Sequence, residues 1–141
     1  MTVEGSSPAR MVELTRDEAL ELLAGVSLGR VVFSHQALPA IRPVKHIVDD
    51  GHVVFLTHDG AAILSPGAER GVLAYEADEL DPLRHTGWSV IVTGAARLVN
   101  DRTELARYRT MLTPWTDTEV KHVIRISPDI VTGYRLTADG G

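Results

Sequence analysis

Short apolar runs, each the length of a strand, recur along the chain between turn residues. Three stretches depart from that rhythm and read as helices. The first follows Thr15. Ala19, Leu20, Leu22 and Leu23 give it one apolar side, Thr15 and Glu18 have the spacing of a capping box, and Gly25 is its stop. In the second, Leu105, Tyr108, Met111 and Leu112 share a face behind a cap at Asn100 or Asp101. A third, short one precedes Pro66 in "DGAAILS". The strands fall at 29–35, 40–48, 52–57, 71–78, 88–99, 120–126 and 130–136. Pro43 lies within the second strand and donates no hydrogen bond, so the strand is at an edge or bulged there. Asp49-Asp50-Gly51 is a hairpin turn. The polar stretch 78–87 and Thr113-Pro114-Trp115 read as loops, and Gly94 as a bulge or bend in the long strand.

Six or seven strands joined by short connections are mainly antiparallel, and with so few helices they predict a barrel or a sandwich. The expected organisation is a flexible arm at 1–12, "MTVEGSSPAR" and onward, then a single domain at 13–138. A length of 141 residues with 44% hydrophobic and 23% charged suits one globular core. The formal charge of −5 argues against nucleic acid or an anionic membrane as partner. The densest cations, Arg102, Arg107 and Arg109, are interleaved with Asp101 and Glu104. Cysteine is absent, which excludes disulfides, thiolate catalysis and zinc–thiolate sites. No apolar run has transmembrane length and the first residues do not read as a signal peptide, so a cytoplasmic location is expected.

Motifs that announce chemistry are missing: there is no GxSxG, Walker A loop, GxGxxG or HExxH. His46, His52 and His58 are evenly spaced, but surface or hydrogen-bonding roles are expected for them and no metal site. Asp78, Glu79 and Asp81 read as a solvated acidic loop.

Four segments carry more information together than apart: "LGRVVFS", "PAIRPVKHIVDDGHVVFLTHDG", "GVLAYEADELD" and "GWSVIVTGAARLV". In their order and spacing the chain resembles the pyridoxamine 5'-phosphate oxidase-like, flavin-binding split-barrel family. The tail "PWTDTEVKHVIRISPDIVTGYRL" is similar to the small actinobacterial members. The resemblance implies a six-stranded antiparallel split β-barrel and a homodimer with a flavin-type cofactor in a groove between subunits. FMN is the expected cofactor; a deazaflavin (coenzyme F-420), haem or none are the alternatives. Oxidation of pyridoxamine phosphate itself is not expected. The chain is short, and no clear set of arginine and histidine near its C-terminus suits a second phosphate ester.

A flavin nucleotide needs a phosphate anchor, a flat apolar wall and polar donors. Pro43 and Val44 offer the wall. Arg42 and Lys45 are cations that strand alternation sends to opposite faces. Thr57 offers a hydroxyl, and Gly60 and Ala61 offer backbone amides at a helix start. Trp88 and Ser89, at the entrance of the long strand, border the groove in the resemblance; Trp88 covers the cofactor or forms interface core. Where the family pattern T-x-x-G-x-K has its lysine, this chain has Ala62, with Lys45 or Arg70 as possible substitutes. Losing a charged contact to phosphate costs roughly tenfold to a hundredfold in affinity. His46 is a candidate proton donor, weighed against a strand histidine bonded to backbone. Three functions follow: a flavin- or deazaflavin-dependent oxidoreductase acting on a small molecule, a non-catalytic carrier or sensor, and a structural homodimer with a decayed site.

Overall fold

The long strand β6 (Thr86–Leu98) organises the architecture. Along one edge it pairs antiparallel with β5 (Gly71–Asp81) over its whole length. Its other edge is shared by two strands. Gly87 to Thr93 pair with β8 (Ile130–Thr137), and Ala96 to Leu98 pair with β7 (His122–Ile126). From β5 the sheet continues through β2 (Leu28–His35), β3 (Leu38–Asp49) and β4 (His52–Thr57) to β7. The β6–β7 pairing therefore closes a six-stranded antiparallel barrel. Two further strands, β8 and β1 (Arg10–Glu13), extend from its split. A computed structural model describes residues 9–57, 63, 71–112 and 122–138.

The split lies where the sequence suggests a bend. At Gly94 the segment between β7 and β8 crosses so close that a Cβ would lie 1.8 Å from the Ser127 carbonyl oxygen. Beside it, the Ala95 amide donates to Asp129 at 2.9 Å, and its carbonyl accepts from the Ser127 amide at 2.8 Å. Glycine is required there because one strand passes from β7 to β8 without room for a side chain.

Inward-facing residues of the six strands fill the barrel: Val31, Phe33, Val44, Val53, Phe55, Tyr75, Val90, Val92 and Ile126 are all buried. The helix α1 (Arg16–Ala24) packs on β8, β3 and β6 through Ala19 and Leu23. Its capping box is complete: Thr15 Oγ1 accepts from the Glu18 amide at 3.2 Å and Glu18 Oε1 from the Thr15 amide at 2.9 Å. The second helix, α2 (Arg102–Met111), is capped by Asp101, whose Oδ2 accepts from the Glu104 amide at 2.9 Å. Tyr108 and Leu112 press onto the outer faces of Val54 and Val123. Met111, expected on the same face, is 48% exposed, since the helix buries only a narrow stripe. Asp49 holds α2 down: it accepts from Arg107 at 2.9 and 3.3 Å and from the Tyr108 hydroxyl at 2.7 Å. These donors pull the Asp49 carboxyl down to about 2.

The hairpin at Asp50-Gly51 forms as read, with φ of 50° and 74° at the two turn residues. The Pro43 reading also holds. On β2 it is opposite Arg30, whereas β4 pairs with β3 only from His46 onward, so Pro43 lies where that edge is open. The stretch expected as a loop at 78–87 is different. β5 runs on to Asp81, and Asp78, Glu79 and Leu80 pair with Ser89, Trp88 and Gly87. Only 82–85 turn, held by Asp81 Oδ1 accepting from the amides of Leu83 and Arg84. Polar side chains in that stretch mark an outward face rather than a break in pairing. Residues 10–12, read as part of an arm, pair with β8. The short helix before Pro66, the Thr113-Pro114-Trp115 loop and His58 lie outside the described residues, apart from the buried, helical Ile63.

Candidate functional site

Two polar clusters lie on opposite sides of the wall formed by β3, β2 and β5. The inner one centres on His46, which is 2% exposed. Its Nε2 is 2.9 Å from the Leu23 carbonyl, and its Nδ1 meets the Tyr75 hydroxyl. A carbonyl only accepts, so Nε2 carries the proton and Nδ1 accepts from Tyr75. Burial pushes the His46 pKa down and the Tyr75 pKa up. Both groups are therefore neutral, and the ring ties the end of α1 to the barrel interior. The structure gives His46 the backbone-bonded role. Gly29 makes room for this pair: a Cβ there would stand 2.4 Å from the Tyr75 hydroxyl oxygen.

The outer cluster centres on Arg30. Its Nη1 donates to Glu76 Oε1 at 2.9 Å and lies 3.8 Å from Asp78 Oδ2. Glu76 and Asp78 are two residues apart on β5 and so share its outer face. Partial burial raises Glu76, and the neighbouring Asp78 carboxylate raises it further against the pull of Arg30, to about 7. Beside the cluster is an open cleft of about 430 Å³ between the end of α1 and the β2 and β5 strands. It is lined by Gly25, Val26, Ser27, Leu28, Arg30, Asp78 and Glu79. That volume is in the range of small-molecule sites.

Several of the residues expected in a site border this cleft through strand register. Lys45 is opposite Leu28, Ser89 opposite Asp78, and the Trp88 backbone opposite Glu79. Lys45 and Ser89 are half-buried on the outer face. Pro43 is exposed on that face, next to Arg30 in register. Val44 is not: strand alternation turns it into the barrel core, so of the expected apolar wall only Pro43 faces outward. Arg42 also has inward parity, at an exposed position, with its guanidinium 5.7 Å from the centre of the Phe33 ring. Trp88 is 6% exposed and packs within the barrel core of its own chain, whereas both sequence readings had it facing a cofactor or a partner. Thr57 is buried at the end of β4, opposite His122. Gly60, Ala61, Ala62 and Arg70 lie outside the described residues.

Sequence reasoning missed Arg30 and Glu76, and it put Asp78 in a loop. The available signal was alternation: with Tyr75 and Ala77 apolar, Glu76 and Asp78 must face the other way. That Arg30 stands opposite them is a matter of β2–β5 register. Among the described residues no group of histidine and carboxylate side chains is placed to hold a metal.

A family model for pyridoxamine 5'-phosphate oxidase matches residues 15–135. The chain belongs to that family. An uncharacterized Mycobacterium tuberculosis protein, Rv0080, is 52% identical over 137 residues, covering 94% of this chain and 90% of the relative. Among solved structures, the FAD binding protein of Mycobacterium smegmatis is 36% identical with a TM-score of 0.73, over 89% of this chain and 98% of that one. A Corynebacterium glutamicum protein named as a candidate pyridoxamine 5'-phosphate oxidase is 34% identical with a TM-score of 0.76, over 96% and 98%. The split barrel expected from the family resemblance is thus the fold this chain has.

Proposed function

We propose that the chain acts as a homodimer that holds a flavin nucleotide against the outer face of β3, β2 and β5, and serves a redox step on a small molecule there. Correspondence with the M. smegmatis FAD binding protein over 89% of the chain carries this reading. The local chemistry fits a flavin: an open cleft of suitable volume, hydroxyls at Ser27 and Ser89, exposed Pro43, and the cation Lys45. A bound flavin itself supplies hydride or single-electron transfer. The chain's own part is to bind it, orient it and exclude water. Lys45 is the outward cation of β3 suited to a phosphate, and Pro43 presents a flat surface to a ring.

Self-association is read from the outer sheet face. Leu28, Ile41, Val72, Ile91, Ile130 and Tyr134 are all exposed on it. Register makes it continuous: Ile41, Val32, Ala74, Thr93 and Ile130 stand side by side across five strands. An apolar sheet face of this breadth calls for a cover. A second copy suits it, because Arg30 of one chain can meet Asp78 of the other.

Titration of the purified chain with FMN, FAD, riboflavin and a deazaflavin, followed by flavin fluorescence and calorimetry, tests the cofactor. Micromolar or tighter binding of at least one nucleotide is expected. Lys45→Ala should weaken FMN and FAD about tenfold or more, and riboflavin less. Ala62→Lys should strengthen FMN by roughly one to two decades. No flavin binding at high micromolar concentration removes the proposal.

A further inference from the structure

We propose that closing two copies over the Arg30–Glu76–Asp78 cluster draws in one proton per chain, so that self-association of this face is governed by pH. The inference rests on the homodimer reading above and adds its regulation.

The cluster sits within the apolar face rather than at its margin. Across the strands, Pro43, Arg30, Glu76, Ile91 and Thr132 form one row, beside the row that runs from Ile41 to Ile130. Each copy thus places one cation and two carboxylates where a partner must exclude water. Glu76 and Asp78 side chains are already only 24% and 33% exposed. Glu79 lines the cleft beside Arg30 and Asp78 and adds to the excess of carboxylates there; the other charged or titratable groups facing this way lie further out. Lys45 on β3 is opposite Leu28, and it is the cation assigned above to the cofactor phosphate. Tyr134 on β8 and Glu13 on β1 continue the row of Asp78 and Ser89. The outward residues of β6 between Ser89 and Thr93 carry no charge.

Each copy therefore contributes a net charge of −1 from this trio, and a two-fold axis brings two such trios together. Burying an unpaired charge is costly, and a carboxylate meets that cost by taking a proton. Glu76 is the group placed to do so, because in the free chain it already titrates at about 7. Covering it raises it further. Association then takes up protons. It is strongest below the free-chain value, weakens as pH rises through that value, and levels off above the value in the dimer.

Sedimentation equilibrium of the full chain from about pH 6 to pH 9 at fixed ionic strength is the test. The wild-type dissociation constant should rise at least about tenfold across that range, as linkage of up to two protons per dimer allows. Glu76→Gln should hold the acid-side affinity throughout, within about twofold, and Asp78→Asn should also flatten the profile. If the wild type stays dimeric at nanomolar concentration, the same series in sub-denaturing urea reads the linkage. A dimer whose affinity ignores pH, or a Glu76→Gln variant that keeps the wild-type slope, overturns this proposal and leaves the homodimer standing. A monomer at every pH removes the homodimer reading, and this proposal with it.

Discussion

Tyr75 and Glu76 are neighbours on β5, yet they face different worlds. Tyr75 points into the barrel, donates to His46 and is buried; His46 in turn is bonded to the Leu23 carbonyl. Every polar atom of that chain of contacts has a partner and none is charged. Glu76 points outward to a single arginine that it shares with a second carboxylate, on a sheet face that leaves large apolar side chains exposed. The inner cluster is complete within one chain; the outer one is short of a charge and of a cover. Polar groups inside the wall hold the fold together. Those outside lie on the face where a second copy is proposed to close.

The sharpest way to break this contrast is to delete the inner ring. His46→Ala leaves the Tyr75 hydroxyl with only a long bond to the Val44 carbonyl and the Leu23 carbonyl with only a long one from the Val26 amide, both at 3.4 Å, and opens a cavity. It should cost about 3 kcal/mol or more in urea unfolding. A cost below about 1 kcal/mol would mean that the inner cluster is not structural. Gly29→Ala drives a methyl group into the Tyr75 ring and should lose roughly 1–3 kcal/mol by the same measurement.

Acid should find the inner cluster as well. The folded pKa of His46 lies below its ordinary 6.5, so the unfolded chain takes up the proton first. Its contribution to stability is full above about 6.5 and is lost as pH falls below it. His46→Gln should flatten that part of the urea midpoint–pH profile; an unchanged slope places the titrating group elsewhere. Asp49 acts lower down: its stabilisation is lost as pH falls from 3.8 towards about 2. Asp49→Asn weakens a partly exposed set of hydrogen bonds and should cost about 1 kcal/mol at neutral pH, after screening by water. The smallest effect belongs to the outer cluster. At about pH 4.5, where the folded chain keeps the Glu76 proton, Glu76→Gln should leave the unfolding free energy in urea within about 0.5 kcal/mol of wild type; as pH rises towards about 7 the variant should become the more stable chain, because the raised carboxyl penalises the ionised folded state. A loss as large as that of His46→Ala would erase the distinction between the two faces.

What the sequence determined was local, or repeated along the whole chain. The capping box at Thr15 and Glu18, the Asp50-Gly51 turn and a cap at Asn100 or Asp101 are set by residues within three or four positions of one another; the structure assigns that cap to Asp101. The order of strands and turns was enough to bring out the family. Pro43 announced an edge or a bulge and Gly94 a bulge or bend, because a missing donor and a missing side chain constrain any pairing; that the edge is open and that a segment crosses at Gly94 came from the tertiary structure. Tertiary structure decided which residues meet across strands. Trp88 stands at the mouth of the long strand, and nothing near it in sequence tells whether its ring turns to a groove or to its own barrel; it lies on the same side of β6 as Val90 and Val92 and packs with them in the core. Val44 went the same way by alternation. Arg30 and Glu76 are 46 positions apart, so their ion pair exists only once β2 and β5 are in register. A slip of one residue there would reverse the two faces, placing Glu76 in the core and Tyr75 in water. The hydrophobic contents of the barrel forbid that slip, and in doing so they put the charges outside.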